Sequence, residues 1–187
     1  MSGQLFYVVG PSGAGKDSLL DYARRHLPVD APVVFAHRYI TRPAAAGGEN
    51  HVAVSPEEFA RMLTRGLFAL SWESHGHRYG LGVEIDQWLA HGLNVVMNGS
   101  RAHLAVADAR YGDRLQVVSV EVAPSVLRAR LTARGRESAA EIRDRITRAS
   151  AFTVEHPRVL RLANNGPLSE AGGRLVDALC ATVPLGA

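Results

Sequence analysis

A glycine-rich turn near the N-terminus constrains this chain more than any other feature. The stretch GPSGAGKDS follows the apolar run Leu5–Val9 and opens an amphipathic segment, Lys16–His26. A strand, a glycine turn and a helix in this order are typical of a loop whose backbone N–H groups and helix dipole bind phosphate, while its lysine reaches the β- and γ-phosphates. The residues expected to bind the triphosphate are Gly10, Pro11, Ser12, Gly13, Ala14, Gly15, Lys16, Asp17 and Ser18.

Asp17 departs from the usual pattern G-x-x-x-x-G-K-[ST], in which a hydroxyl follows the lysine. A carboxylate beside phosphates requires a cation between them, and carboxylate and hydroxyl oxygens are both ligands of Mg²⁺. We therefore interpret Asp17 as a Mg²⁺ ligand, directly or through water. In the alternative, Asp17 caps the first helical turn and Ser18 binds the metal.

Strand-like and helical segments alternate along the chain, which predicts an α/β fold with a parallel sheet covered by helices. The rhythm changes in residues 39–82, where short strands surround one helix with Ser55 as N-cap and Pro56 at its first position. Near residues 134–148, Gly135 ends one helix and Ser138 with Glu141 begins the next as a capping box. These patterns predict one domain, 1–187, with an inserted subdomain and a helical lid.

Composition limits the class of protein. Hydrophobic residues make up 47% and charged residues 21% of the 187 residues, as in soluble globular proteins. The N-terminus lacks a signal-peptide pattern, no apolar run is long enough to cross a membrane, and the one cysteine, Cys180, is expected in the core of a cytoplasmic protein. The net charge of +3 suits anionic ligands, but the basic residues are too dispersed to favour nucleic acid.

Two residue types invite other functions. His75 and His77 flank a glycine, but a third metal ligand at a recognisable spacing is missing, so hydrogen bonding is the favoured role. Trp72 and Trp88 are expected to serve in packing. The sequence leaves open whether the protein is a monomer or a homodimer.

Five segments, in order and spacing, resemble the guanylate kinase family over nearly the whole chain: GPSGAGKDSLL, HRYITR, GGENHVAVSPEEF, HGHRYG and RGRESAAEIRDRITRA. The resemblance implies a P-loop nucleoside-monophosphate-kinase-like three-layer fold with a parallel sheet, an acceptor-binding subdomain and a helical lid. It also implies residue roles. The acceptor would be bound by Arg38, Arg42, Glu49 and Tyr79, the transferred phosphoryl group by Lys16, Arg134, Arg145 and Arg148, and the adenine of ATP by Asn164 and Asn165.

Two departures concern the guanine readers of that family. The hydroxyl expected soon after "YG" is replaced by Gly80-Leu81-Gly82, and the acidic residue at a later strand end by Asn98-Gly-Ser-Arg101. A base pocket without its polar partners loses discrimination. The segments GKDSL, YGLGVEID and MNGSRAHL instead resemble the ribose 1,5-bisphosphate phosphokinases, whose members share the aspartate after the lysine.

This second resemblance implies an enzyme of phosphonate catabolism. ATP with Mg²⁺ would phosphorylate ribose 1,5-bisphosphate to 5-phosphoribosyl 1-diphosphate (PRPP), and Arg101 would bind the second phosphate of this sugar bisphosphate. The alternatives are guanylate kinase, another small-molecule P-loop kinase, and a non-catalytic guanylate-kinase-like binding module. Retention of Lys16 and the lid arginines disfavours the binding module.

Overall fold

The protein is described from a computed structural model that covers residues 2–46, 50–135, 137–151 and 153–181. Its strands are β1 (Leu5–Val9), β2 (Val33–Phe35), β3 (Tyr39–Ile40), β4 (Val52–Ala53), β5 (Phe68–Ser74), β6 (His77–Gly82), β7 (Asn94–Asn98), β8 (Leu115–Glu121) and β9 (Val159–Ala163). Its α-helices are α1 (Lys16–His26), α2 (Pro56–Thr64), α3 (Glu84–Ala90), α4 (Leu104–Tyr111), α5 (Pro124–Arg134), α6 (Ala139–Ser150) and α7 (Leu168–Cys180). Short 3-10 turns occupy Ala44–Ala46, Arg101–His103 and Gly112–Arg114.

Two sheets organise these elements. A five-stranded sheet has the order β2-β7-β1-β8-β9, in which β2 pairs with β7 and β8 with β9 in parallel. A four-stranded sheet has the order β4-β3-β6-β5, with antiparallel pairing of β6 to both β3 and β5. The predicted α/β fold is therefore confirmed. The chain divides into two compact units at β1, the first containing the chain up to Tyr7 and Pro32–Gln116, the second Val8–Ala31 and the chain from Val117.

In the first unit, the helix predicted from its capping residue forms as expected. Ser55 accepts a hydrogen bond from the Glu58 N–H at 3.1 Å, and α2 buries Phe59, whose ring packs on Phe68 at a centroid distance of 4.6 Å. Leu63, four residues further along the helix, is exposed. A nine-residue helix has room to bury only a narrow stripe, which Phe59 fills.

Helix α3 was not predicted, although its signals are in the sequence. Ile85 and Leu89 lie four residues apart and are fully buried, and Gly92 follows with a φ of 83°. Apolar residues at this spacing share one helix face, and a glycine with positive φ commonly ends a helix. Only Val83 separates this helix from the strand that ends at Gly82, so no loop marks its start.

In the second unit, the predicted end of α5 and the predicted start of α6 are confirmed, while their role as a lid stays a prediction. Gly135 adopts a left-handed conformation (φ 61°) after α5, and Ser138 and Glu141 form a complete capping box at the start of α6. The hydrogen bonds from Ser138 keep the pKa of Glu141 below its usual value. The two helices share an apolar cluster of Leu127, Leu131 and Ile142.

Cys180 corrects one expectation. It is the last residue of α7 and is exposed, whereas Leu175 and Leu179 of that helix are fully buried. Cysteine follows Leu179 by one position and so points about 100° away from it around the helix. None of the helices in the described part of the chain combines the length and apolar character needed to cross a membrane.

Tyr7 ties β1 to the turn that follows β7. Its ring is fully buried, its hydroxyl donates to the Ser100 carbonyl at 2.9 Å, and it accepts from the Ser100 N–H at 3.0 Å. A Cβ on Gly99 would come within 2.3 Å of the Tyr7 ring, so glycine is required there. Burial raises the pKa of Tyr7, although the Ser100 hydrogen bond and the charge of Arg38 oppose the shift.

We expect Tyr7→Phe to lower the free energy of unfolding by about 1–3 kcal/mol, because both backbone groups of Ser100 lose a partly buried partner. Tyr22→Phe is the matched control, since it keeps a ring that stacks on His26 at 3.8 Å. Urea unfolding of both variants measures the difference. Equal losses in the two variants would contradict a structural role for the Tyr7 hydroxyl.

Candidate functional site

The glycine turn has the geometry of a phosphate-binding loop. Gly13 and Gly15 both have positive φ, 91° and 90°, and the Ala14 N–H donates to the Pro11 carbonyl at 3.1 Å. Gly15 is the N-cap residue of α1. Positive φ turns successive N–H groups to one side, and the helix start adds positive partial charge. Both features favour an anion at this turn of the second unit.

Lys16 lies at the first position of α1 with its ammonium group at the loop. The Nζ atom donates to the Gly10 carbonyl at 2.8 Å and to the Pro11 carbonyl at 3.2 Å. These are neutral acceptors, and phosphate oxygens would form stronger, charge-assisted bonds with the same group. The lysine is thus held where it can exchange loop carbonyls for phosphate.

Asp17 and Ser18 occupy the next two helical positions, and both are exposed. Since Gly15 is the N-cap residue, Asp17 does not take that position. The carboxylate and hydroxyl oxygens are hard donors that fit Mg²⁺. Among the residues that the structure describes, no group of three or more His, Cys, Asp and Glu side chains is placed to hold a metal ion.

Two side chains converge on one carbonyl of the loop. The amide of Asn164, which is 3% exposed, donates to the Ala14 carbonyl at 2.8 Å, and Arg130 Nη1 reaches the same oxygen at 3.4 Å. Asn164 is itself fixed by its N–H bond to the Glu121 carbonyl at 2.8 Å. The predicted place of Asn164 beside adenine stays a prediction, but its amide nitrogen already holds the loop.

Arg130 was missed by sequence reasoning. It lies four residues before Arg134 on α5, and this spacing places the two on one helix face, which is the signal that would have found it. Asn165, the other residue predicted near adenine, is exposed and accepts a hydrogen bond from the Ala123 N–H at 2.7 Å. Its contact thus stabilises the start of α5.

The structure distinguishes the three predicted lid arginines. Arg145 donates to the Ser12 hydroxyl of the loop at 2.7 Å, and its other amino group lies 3.3 Å from Glu137 Oε1, a carboxylate whose side chain is only 12% exposed. Arg134 is the exposed last residue of α5. Arg148 is exposed and donates to the Asp144 carbonyl of its own helix at 3.3 Å. Of these three, Arg145 is the one with a described contact to the loop.

The first unit holds a second cluster, around Arg38. Its guanidinium carbon lies 4.9 Å from the ring centroid of Tyr79 and 5.8 Å from that of Trp72. The two rings are parallel, with centroids 5.5 Å apart and an interplanar angle of 4°. The sequence indicated Arg38 and Tyr79 as acceptor residues but Trp72 only as a packing residue. The side-chain alternation along β5 and β6 does not reveal that the Trp72 ring contacts the guanidinium of Arg38.

Two other predicted acceptor residues, Arg42 and Arg101, follow strands of the same unit. Arg42 follows β3 and is partly buried, and its carbonyl accepts a hydrogen bond from His51 Nε2 at 3.0 Å. Arg101 is exposed and begins the 3-10 turn after β7. Glu49 lies outside the described residues. His77 donates to the Thr41 carbonyl at 2.9 Å, which confirms hydrogen bonding as its role.

The segment after Tyr79 is lined by apolar contacts. A Cβ on Gly80 would lie 2.5 Å from the ring of Phe68, so that ring covers the glycine, and Leu81 is fully buried. The backbone here therefore packs against an aromatic ring where the guanylate kinase pattern expects a hydroxyl. A purine edge would gain no side-chain partner from these two residues.

We expect Gly15→Ala to weaken binding of Mg²⁺–ATP by about 5- to 150-fold. A side chain at positive φ costs roughly 1–3 kcal/mol, and the free loop would relieve this strain by leaving the conformation that binds phosphate. A Cβ at Gly15 would also lie 2.6 Å from Asn164 Nδ2. Gly173→Ala is the control, since a Cβ there meets nothing within 4 Å. Calorimetric titration with ATP measures both affinities; wild-type affinity in a folded Gly15→Ala protein would refute the loop assignment.

The chain was compared with known proteins. No family model matches it. A protein of Desulfomicrobium baculatum named ribose 1,5-bisphosphate phosphokinase PhnN is 56% identical over 179 residues, covering 96% of this chain and 95% of the relative. A protein of the same name from Thiobacillus denitrificans is 54% identical over 177 residues, covering 95% and 93%.

Among solved structures, guanylate kinase from Anaplasma phagocytophilum matches with a TM-score of 0.66 at 17% identity, over 95% of this chain and 85% of that one. This likeness confirms the predicted α/β P-loop kinase fold. The sequence relatives are similar over nearly their whole length, at an identity that leaves no doubt of common descent. The chain therefore belongs to the ribose 1,5-bisphosphate phosphokinase PhnN family.

Proposed function

We propose that the protein transfers the γ-phosphoryl group of ATP to the 1-phosphate of ribose 1,5-bisphosphate, giving ADP and PRPP in phosphonate catabolism. The observation that carries the proposal is the 56% identity, over 96% of this chain, to a relative named for this activity. The anion-binding loop and the arginine-bearing cluster of the first unit supply the two kinds of group that such a reaction requires.

The reaction requires positioning of the two substrates and stabilisation of charge rather than a general base. An oxygen of the acceptor 1-phosphate is ionised at neutral pH and attacks the γ-phosphorus, while the bond from that phosphorus to the bridging oxygen breaks and ADP leaves. Charge in the transition state is spread over the equatorial oxygens, where fixed cations and N–H groups stabilise it. A site built of lysine, arginine and backbone donors suits this reaction.

On the donor side, we assign the phosphates of ATP to Lys16 and Arg145. Both already bond to loop oxygens, Lys16 to carbonyls and Arg145 to the Ser12 hydroxyl. These contacts would be replaced by bonds to ATP, since a bond between two charged groups is stronger than one to a neutral oxygen. Arg134 and Arg148 remain proposed members of the same clamp.

Mg²⁺ would be held by Asp17, with Ser18 as the neighbouring oxygen donor. When bound, the ion offsets phosphate charge and orients the β- and γ-oxygens. The role of this chain is to keep a carboxylate at the second position of α1, beside Lys16. The carboxylate of Asp17 would complement the metal ion, and the ammonium group of Lys16 would complement the phosphates.

On the acceptor side, we assign the two phosphates of the sugar to Arg38, Arg42, Tyr79 and Arg101. A bidentate guanidinium is well matched to a phosphate, and a base-free acceptor needs no purine reader. Gly80, covered by Phe68, and buried Leu81 favour this acceptor over GMP. A guanine that lost its polar partners at such a site would be bound poorly.

A turnover comparison tests the proposal. With Mg²⁺–ATP, we expect ribose 1,5-bisphosphate to be phosphorylated with a kcat/KM at least on the order of 10²-fold above that for GMP. Lys16→Ala should lower the rate with the sugar bisphosphate by about 10²–10³-fold, through loss of one fixed positive charge. Formation of PRPP is followed by chromatography. A preference for GMP would make the protein a guanylate kinase, and full activity of Lys16→Ala would refute the loop assignment.

We expect Asp17→Asn to raise the Mg²⁺ concentration needed for half-maximal rate, because the amide keeps one oxygen but loses the charge that offsets the cation. Asp17→Ser should retain more activity than Asp17→Ala, since a hydroxyl is also a ligand of Mg²⁺. Asp21→Asn is the matched control: Asp21 lies one turn further along α1 and pairs with Arg24 at 3.0 Å. The metal dependence of each variant is measured from initial rates during a titration with Mg²⁺. An unchanged metal dependence in Asp17→Ala would eliminate the ligand role.

A further inference from the structure

Trp72 and Tyr79 form one surface, which we call the ring pair. They are direct partners in the register of β5 and β6, so their side chains lie on the same face of the four-stranded sheet. Their rings are parallel within 4° at a centroid distance of 5.5 Å, and the residues are only 6% and 8% exposed. Two buried rings in this arrangement have little freedom to reorient.

Arg38 lies against both members of the ring pair. Its guanidinium carbon is 4.9 Å from the Tyr79 centroid and 5.8 Å from the Trp72 centroid, while the centroids are 5.5 Å apart. Three such similar distances form a nearly equilateral triangle. The guanidinium therefore rests across the two rings; if it lay on the far side of Tyr79, its distance to Trp72 would be much longer.

Trp72 has a further neighbour that restricts its ring. The imidazole of His103 lies 5.8 Å away at an interplanar angle of 30°, and its Nδ1 atom is 3.5 Å from the hydroxyl oxygen of Ser100. Ser100 is in turn fixed by Tyr7 through both of its backbone groups. The Trp72 ring is thus also in contact with the turn that follows β7.

We propose that Trp72 is a positioning residue, which holds the guanidinium of Arg38 in place for a phosphate of the acceptor. The inference rests on the proposed function, because Arg38 is there assigned to the sugar bisphosphate. A guanidinium that lies against aromatic rings can form a bidentate bond to phosphate through its N–H groups. A flexible arginine side chain would have to be ordered when the acceptor binds, and the ring pair orders it beforehand.

The test is a double-mutant cycle of Trp72→Leu and Arg38→Ala, with KM for ribose 1,5-bisphosphate, KM for ATP and kcat measured for each protein. Trp72→Leu should raise the KM for the acceptor about 10-fold, in line with the loss of a desolvated cation–π contact, and should leave the KM for ATP unchanged. Trp72→Phe keeps an aromatic face and should recover most of the loss. In the double variant, the acceptor KM should equal that of Arg38→Ala alone, since Trp72 acts through Arg38.

Trp88→Leu is the matched control, because Trp88 is a partly buried tryptophan of the same unit that lies on α3. It should leave the acceptor KM at the wild-type value. If Trp72→Leu does not fold, the same cycle is run with Trp72→Phe, whose smaller effect must also vanish in the Arg38→Ala background.

Additive effects in the cycle, or an equal rise in the KM for ATP, would overturn the positioning role. Such a result is distinct from failure of the proposed function itself. If the proposed function is wrong, the wild-type protein does not phosphorylate ribose 1,5-bisphosphate. If only the positioning role of Trp72 is wrong, wild-type turnover is normal and the coupling between Trp72 and Arg38 is missing.

Discussion

The positive electrostatic field of the glycine loop is the constraint on which the donor chemistry depends. The positive φ angles of Gly13 and Gly15, the start of α1 and the Lys16 ammonium group all favour an anion at the same place. Lys16 is the only lysine of the chain, and the other 20 of its 21 basic residues are arginines. A compact ammonium group fits a narrow backbone loop, whereas the planar guanidinium suits phosphate held from outside.

This field is useful only if the loop keeps its shape when no phosphate is bound. The loop makes the turn with two glycines in a left-handed conformation, and its Ala14 carbonyl is fixed by the buried amide of Asn164. A Cβ at Gly13 would come within 2.8 Å of Leu127, so α5 also packs closely on the loop. The second unit thus preorganises its N–H groups, which is what electrostatic stabilisation of a transition state requires.

In the first unit, the guanidinium of Arg38 lies against the buried rings of Trp72 and Tyr79. The contacts of Arg38 with the two buried rings restrict the positions that its guanidinium can take. The neighbouring Gly80 is covered by the Phe68 ring, and Leu81 is fully buried. Both features agree with an acceptor recognised by its phosphates rather than by a base.

The sequence by itself determined the α/β alternation, the loop between Val9 and Lys16, and the helix starts at Ser55 and Ser138, because these depend on local periodicity and on hydrogen bonds between near neighbours. Tertiary structure alone decided the rest of the arrangement: the exposure of Cys180, the bond from Asn164 to Ala14, the choice of Arg145 as the arginine with a described contact to the loop, and the stacking of Arg38 on Trp72. Each of the last three contacts joins residues at least 34 positions apart. Such contacts depend on how sheets and helices pack, which no local pattern of side chains encodes.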